Sequence, residues 1–285
     1  MVSKHLKEKS VPGNGIYFLK RSLPKQKRTN NDKLQLKEQQ KSSRFQQFKV
    51  FLARDAKSKL ANKQYLLINF LEAPVLALIL SFFSDHGKWK KSQDYALYFN
   101  NNIPAYILVC VLAALFIGLT VSAEEIFKDR KIRKREAFLR LSKISYLSSK
   151  ALLLMLISAF QAFTFVVIGN WVLNIPDMLW PYWLVMFSTL FFSNMLGLNI
   201  SATFNSAVTI YILIPLLIIP QLLLSGIIVR YDQLNPSITS SDRVSVAAEL
   251  MASRWAFEAI AVHQFMENKY EKPLFELNQQ ISSSS

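Results

Sequence analysis

The sequence predicts an all-α fold, a polytopic membrane helix bundle with five visible spans, and three observations predict it. First, 51% of the 285 residues are hydrophobic although the formal net charge is +15. Second, the apolar residues gather in five runs, residues 65–83, 104–123, 151–169, 178–197 and 207–228. Each has about 20 residues, enough at about 1.5 Å rise per residue to cross a hydrocarbon core about 30 Å thick. Third, charge is kept out of the runs, and Glu72 is their one formal charge. Helices so long and so uncharged would leave a soluble protein no solvent face.

Residues 1–43 are polar and rich in Lys, Gln, Ser and Asn, and read as a disordered basic cytoplasmic tail able to touch anionic lipid. They lack interleaved aromatics, so no nucleic-acid partner is expected. They lack an apolar core segment as well, so no cleavable signal peptide is expected. In residues 44–64, Phe45, Phe48, Leu52, Ala56 and Leu60 recur at spacings of three and four, with Lys and Arg on the other side. That pattern is an N-terminal amphipathic interfacial helix leading into the first span. The alternative is a helix packed on a soluble neighbour.

The positions of Lys and Arg set the orientation. Residues 1–64 carry 17 basic and 4 acidic side chains, and residues 124–150 carry 9 and 4. The positive-inside rule places both in the cytoplasm, so the N-terminus is inside and residues 229–285 lie outside. Trp171, Trp180, Tyr182 and Trp183 are expected to form an aromatic belt at the opposite face.

Between the second and third spans, residues 124–145 read as one helix. Glu124–Lys128, Asp129–Arg133 and Glu136–Arg140 are acid-before-base pairs at i, i+4, the favourable order. The stretch DRKIRKRE is polar nearly all round, apart from Ile132. Such a helix faces water or another protein. A solvated loop that only fixes topology is the plainer reading, but topology needs few cations and no acids in register.

Little catalytic material is present. Cys110 is the single cysteine, and His5, His86 and His263 are scattered, so no disulfide and no metal site is expected. No G-x-x-x-x-G-K-S/T motif occurs, so no nucleotide is cradled in the P-loop manner and the chain is not expected to be an enzyme. Polar residues within spans are the candidates for a substrate path or polar relay: Asn69 and Glu72, one turn apart, then Gln161, Asn194 and Asn199, with Ser193 beside them. For each, a structural hydrogen bond between helices is the competing reading. Pro215 and Pro220 interrupt the fifth run and are candidate hinges, or else a static kink.

Glu125, Phe127, Asp129, Arg130, Arg135 and Glu136, followed by Tyr146 and Lys150, resemble the first intracellular loop of type-2 ABC exporters of the G subfamily, the white and pleiotropic-drug-resistance group. Asp129 stands where that group more often has Glu. Residues 44–64 resemble the group's connecting helix, and Ser225-Gly226 resembles the close of its fifth span. The segment SRWAFEAIAVHQF resembles its extracellular segment before the last span, through Arg254, Phe257, Glu258, Ala259 and Phe265. Bacterial members are the nearest likeness. The resemblance implies a coupling helix at 124–145 and a partner ABC nucleotide-binding domain that holds ATP and Mg. It further implies a second copy of the membrane domain in a dimer, and a place in the bacterial inner membrane. The group has six spans and an ATPase part; here the sixth span is expected to be missing and the nucleotide-binding domain to be separate or missing. The function expected is the permease part of an ATP-driven exporter of an amphipathic or lipid-like substrate. The rival expectations are a membrane scaffold recruiting a cytoplasmic partner, and an ion-coupled secondary transporter using Glu72.

Overall fold

A computed structural model describes residues 43–84, 102–136, 141–173, 175, 177–229, 246–267 and 272–284. The tail expected at 1–43, apart from its last residue, and the Arg140 end of the Glu136–Arg140 pair lie outside them. Among the described residues every regular element is helical.

Helix α1 (Arg44–Ala61) and helix α2 (Lys63–Ser84) are separated by Asn62. The Asn62 side chain caps α2, its Oδ1 accepting from the Tyr65 N–H at 3.1 Å, so a loose first-turn donor is satisfied. The amphipathic pattern appears as helix, but the face turned toward protein is offset from the expected stripe. Phe51 and Lys59 are its buried residues, whereas Phe45 and Leu60 are 63% and 66% exposed.

Four helices have the length and apolarity to cross a membrane. They are α2, α3 (Asn102–Ser122, which a turn joins to α4, Glu125–Glu136), α5 (Lys143–Leu173) and α6 (Leu179–Thr203). They form a ring in which α3 packs on α6, α6 on α5, α5 on α2 and α2 on α3. α3 is the most enclosed, with Ile107, Val111, Ala114 and Ile117 fully buried. Small residues permit the close packing: α2 turns Asn69, Ala73, Ala77 and Ser81 inward at every fourth position. Outward, α2, α5 and α6 expose large apolar side chains such as Phe83, Leu156 and Leu184.

Two expected boundaries are corrected. The helix expected over 124–145 is not continuous: α4 is described over Glu125–Glu136, and Leu141 and Ser142 are not helical. Ser142 is the reason on its far side, since its Oγ accepts from the Ser145 N–H at 3.3 Å and caps α5. The fifth run, expected over 207–228, is helical as α7 (Ala207–Leu223) and is shorter than the four spanning helices. It ends in a turn at Leu224 and Ser225, and Gly226 follows with φ of 81°, a conformation open to glycine. Beyond it lie α8 (Val246–Glu249), α9 (Ala252–Glu267) and α10 (Lys272–Ser284). α9 packs on α3 and α6. The aromatic belt is also corrected: Trp171 and Trp180 are 78% and 66% exposed, but Tyr182 is buried and its hydroxyl donates to Gln264 Oε1 at 3.2 Å.

Candidate functional site

α1, α4 and α5 converge on one buried ionic cluster. Each brings residues four apart, which stack on one helix face. α1 supplies Phe51, Asp55 and Lys59, α4 supplies Glu125 and Asp129, and α5 supplies Tyr146 and Lys150. The Lys150 ammonium lies 2.6 Å from Asp55 Oδ1, 2.9 Å from Glu125 Oε2 and 3.0 Å from Asp129 Oδ2. The ammonium donates to Asp55 and Glu125, and Asp129 adds a third carboxylate at ion-pair distance. Lys59 donates to Glu125 Oε1 and, at 2.9 Å, to the Tyr65 hydroxyl. The Tyr146 hydroxyl donates to Asp129 Oδ2 at 2.8 Å, and Phe51 packs edge-on against its ring at 5.7 Å. Burial alone would pull the Lys59 ammonium down; Glu125 and Tyr65 reverse this and hold it above the ordinary lysine value.

The other side of α4 is tied to α6 and α7. Ser201 Oγ accepts from the N–H groups of Ile126 and Phe127, both at 3.0 Å. A residue of another helix thus satisfies first-turn donors that a helix leaves open. Arg130 returns the arrangement, donating to the carbonyls of Ser201 at 3.1 Å and Ala202 at 2.6 Å at the end of α6. Glu124 pairs with Lys128 at 2.5 Å and accepts from the Tyr211 hydroxyl of α7 at 2.8 Å. Phe127 packs on Leu119, Ala123, Ile210 and Ile214. The far face of α4, with Lys131, Ile132, Lys134 and Arg135, is exposed.

The six loop residues that carry the resemblance therefore separate. Glu125 and Asp129 belong to the cluster, Phe127 to an apolar contact and Arg130 to the end of α6. Arg135 stands exposed, and the side chain of Glu136 lies outside what the structure describes. Asp129 turns to Lys150 and Tyr146 rather than along its own helix to Arg133, whose guanidinium lies 4.7 Å from the centre of the Tyr146 ring.

Of the polar candidates in the bundle, Asn69 and Glu72 line one cleft of about 260 Å³ with Thr120, whose hydroxyl lies 3.5 Å from Glu72 Oε1. Gln161 donates to the Asn69 carbonyl at 3.1 Å, and Asn194 donates to Ser158 Oγ at 2.8 Å, so both join neighbouring helices. Asn199 is apart from these, bonding the Met195 carbonyl of its own helix at 3.0 Å. Pro215 and Pro220 both lie within α7, which runs through them.

Asp55, Lys59 and Ser201 were not read from the sequence as site residues. Asp55 and Lys59 do carry a signal, since they sit four and eight residues after Phe51. Ser201 carries none, because its role depends on where α6 ends.

A model of the ABC-2 type transporter family matches residues 46–265. The chain is an ABC-2 type transporter membrane domain. No curated protein matches it. An ABC-2 membrane domain is the permease component of an ABC transporter, is not itself catalytic, and works with an ABC ATPase in a lipid bilayer. With four apolar helices of spanning length, this ABC-2 domain is a multi-pass membrane protein. Neither the scaffold nor the ion-coupled reading is favoured by that membership.

Proposed function

We propose that this ABC-2 domain is the membrane half of an ATP-driven exporter of the G-subfamily-like group, in a bacterial inner membrane with its N-terminus cytoplasmic. α7 acts as the fifth span. α1 lies along the inner leaflet with Phe45 and Leu60 toward lipid. α4 is the coupling helix: a nucleotide-binding subunit, carrying ATP and Mg, docks on its exposed basic face. Two copies of the membrane domain enclose the path of an amphipathic or lipid-like substrate.

One observation carries this reading. α4 is held on one side by the Asp55–Lys59–Glu125–Asp129–Lys150 cluster and on the other by Ser201 and Arg130, while its outer face is open. A force applied to that face reaches α1, α5, α6 and α7 together. Rigid packed elements pass on such a displacement with little local give.

The test is reconstitution with the ATPase subunit in sealed vesicles, followed by ATP-dependent movement of a fluorescent lipid between leaflets. The expected result is vanadate-sensitive movement that Arg135→Glu abolishes without loss of membrane insertion. Binding of the ATPase with no ATP-dependent movement of any amphiphile would reject the exporter reading.

A further inference from the structure

The cleft between α2, α3, α4 and α7 has an electrostatic imbalance. Several charges face it, and most are matched. Lys128 pairs with Glu124, and Glu125 is answered by Lys59 and Lys150. Glu72 is not matched: among the described residues it forms no ion pair. Its neighbour is the Thr120 hydroxyl at 3.5 Å, which also lies 3.0 Å from the Phe116 carbonyl and 2.9 Å from the Ile117 carbonyl. One hydroxyl proton shared among three acceptors gives each little.

A second, independent imbalance adjoins it. Asn69 lies one turn before Glu72 and lines the same cleft, and it is 8% exposed. Its Nδ2 donates to the Tyr65 carbonyl at 2.8 Å. That backbone acceptor fixes which way the amide faces, because a flipped amide would set oxygen against oxygen. Its Oδ1 is left as a buried acceptor without a donor. A buried acceptor with no donor is costly, and a carboxylate in an apolar bundle more so. Both lack the same thing, an N–H donor, and the carboxylate lacks positive charge besides. On the same face of α2 as Glu72, at helical spacing, Ile68, Val75 and Ile79 are 52%, 45% and 43% exposed. They form an apolar stripe leading away from the acid.

We infer that this cleft binds the headgroup of a primary-amine amphiphile, with Glu72 as counter-charge, Asn69 Oδ1 as hydrogen-bond acceptor and the Ile68–Val75–Ile79 stripe as the bed for its tail. The assignment rests on the permease reading and names a substrate class for it. It ranks headgroups. A primary ammonium supplies both charge and N–H. A trimethylammonium supplies charge alone, and an alcohol only a neutral donor.

The experiment uses the full chain in nanodiscs of neutral phosphatidylcholine, with a dansyl-labelled alkyl primary amine as fluorescent probe. Dodecylamine, dodecyltrimethylammonium and dodecanol compete. Saturable probe binding is expected, displaced best by dodecylamine, less well by dodecyltrimethylammonium and least by dodecanol. Glu72→Gln, which keeps shape and removes charge, should weaken probe binding by about tenfold or more, the scale of one charge-assisted hydrogen bond. Glu72→Asp should lose less. Unchanged affinity in Glu72→Gln overturns the assignment, as does dodecanol competing as well as dodecylamine. The competitor series is run on the unaltered chain, so a folding defect in the variant cannot decide the matter. Amine binding without ATP-driven flux rejects the exporter reading alone. Flux without amine binding rejects this assignment alone.

Discussion

Lys150 of α5 and Glu125 of α4 meet at 2.9 Å, and their side chains are 4% and 9% exposed. The pair joins the start of the span after α4 to the start of α4 itself. Lys150 also holds Asp55 and Asp129, so removing its charge leaves carboxylates from two other elements without their shared cation. Breaking a buried ion pair from one side costs about 3–5 kcal/mol. Lys150→Met is expected to lose stability on that scale, read as a lowered unfolding temperature of the detergent-solubilised chain. Lys150→Met with Asp55→Asn should recover part of the loss, since Glu125 keeps Lys59 as partner whereas Asp55, among the described residues, has its ion pair with Lys150, and that orphaned charge is then gone. If the double variant is no better than the single one, the two side chains do not share an interaction energy.

Arg130 and Arg135 share a helix and a resemblance to the same family loop, yet they are expected to behave differently on substitution. Arg130 holds the carbonyls that end α6, whereas Arg135 stands in the open. Arg130→Glu places a carboxylate against helix-end carbonyls, where negative charge is unfavourable. It should lower the unfolding temperature of the membrane domain alone. Arg135→Glu should leave that temperature within error and reduce affinity for the ATPase subunit, measured by co-purification or calorimetry. Equal effects of the two in both assays would remove the distinction.

The long apolar runs were legible because length and absence of charge state a membrane span without any knowledge of neighbours. Their boundaries were less so. The loop helix reads through to residue 145 because the acid-before-base spacing continues to Arg140, but Leu141 and Ser142 are not helical and Ser142 caps the next helix. Tyr182 was read as an interface residue from its company of tryptophans; its partner Gln264 lies far along the chain and is brought near only when α9 packs on α6. The ionic cluster was half visible. Glu125, Asp129 and Lys150 lie in one stretch, whereas Asp55 and Lys59 read as the solvated side of an amphipathic helix. Whether a charged face meets water or another charged face is a tertiary fact, which periodicity does not contain.

The α3–α6 contact depends on a missing side chain at Gly118. A Cβ there would lie 2.6 Å from the Leu190 carbonyl oxygen and 2.7 Å from Ser193 Cβ. The backbone carbonyl cannot rotate aside, so Gly118→Ala must push the helices apart. Overpacking of this kind costs about 1–3 kcal/mol. At Gly197 the nearest atom to an added Cβ is the Ser122 hydroxyl oxygen, at the end of a side chain that can turn. Gly197→Ala should therefore destabilise less, and adding Ser122→Ala should relieve much of its cost. Thermal unfolding of the three variants tests the ranking, and a milder effect at Gly118 than at Gly197 would contradict the packing described.

α7 is the helix best placed to bend. Pro215 and Pro220 have no N–H to give the carbonyls of Tyr211 and Leu216, and the helix buries only Ile210 and Ile214. It is thus weakly hydrogen-bonded along its middle and weakly held by its neighbours. Pro215→Ala restores a donor where the helix lacks one; an interior proline disfavours a helix by about 3 kcal/mol, which bounds the stiffening. If α7 flexes during transport, the variant should be at least as stable to heat as the parent but slower in ATP-driven flux. Spin labels at the exposed positions Val208 and Leu223 should report a narrower distance distribution across the prolines. A narrowed distribution together with undiminished flux would mean that the kink only shapes the bundle and that the motion occurs elsewhere.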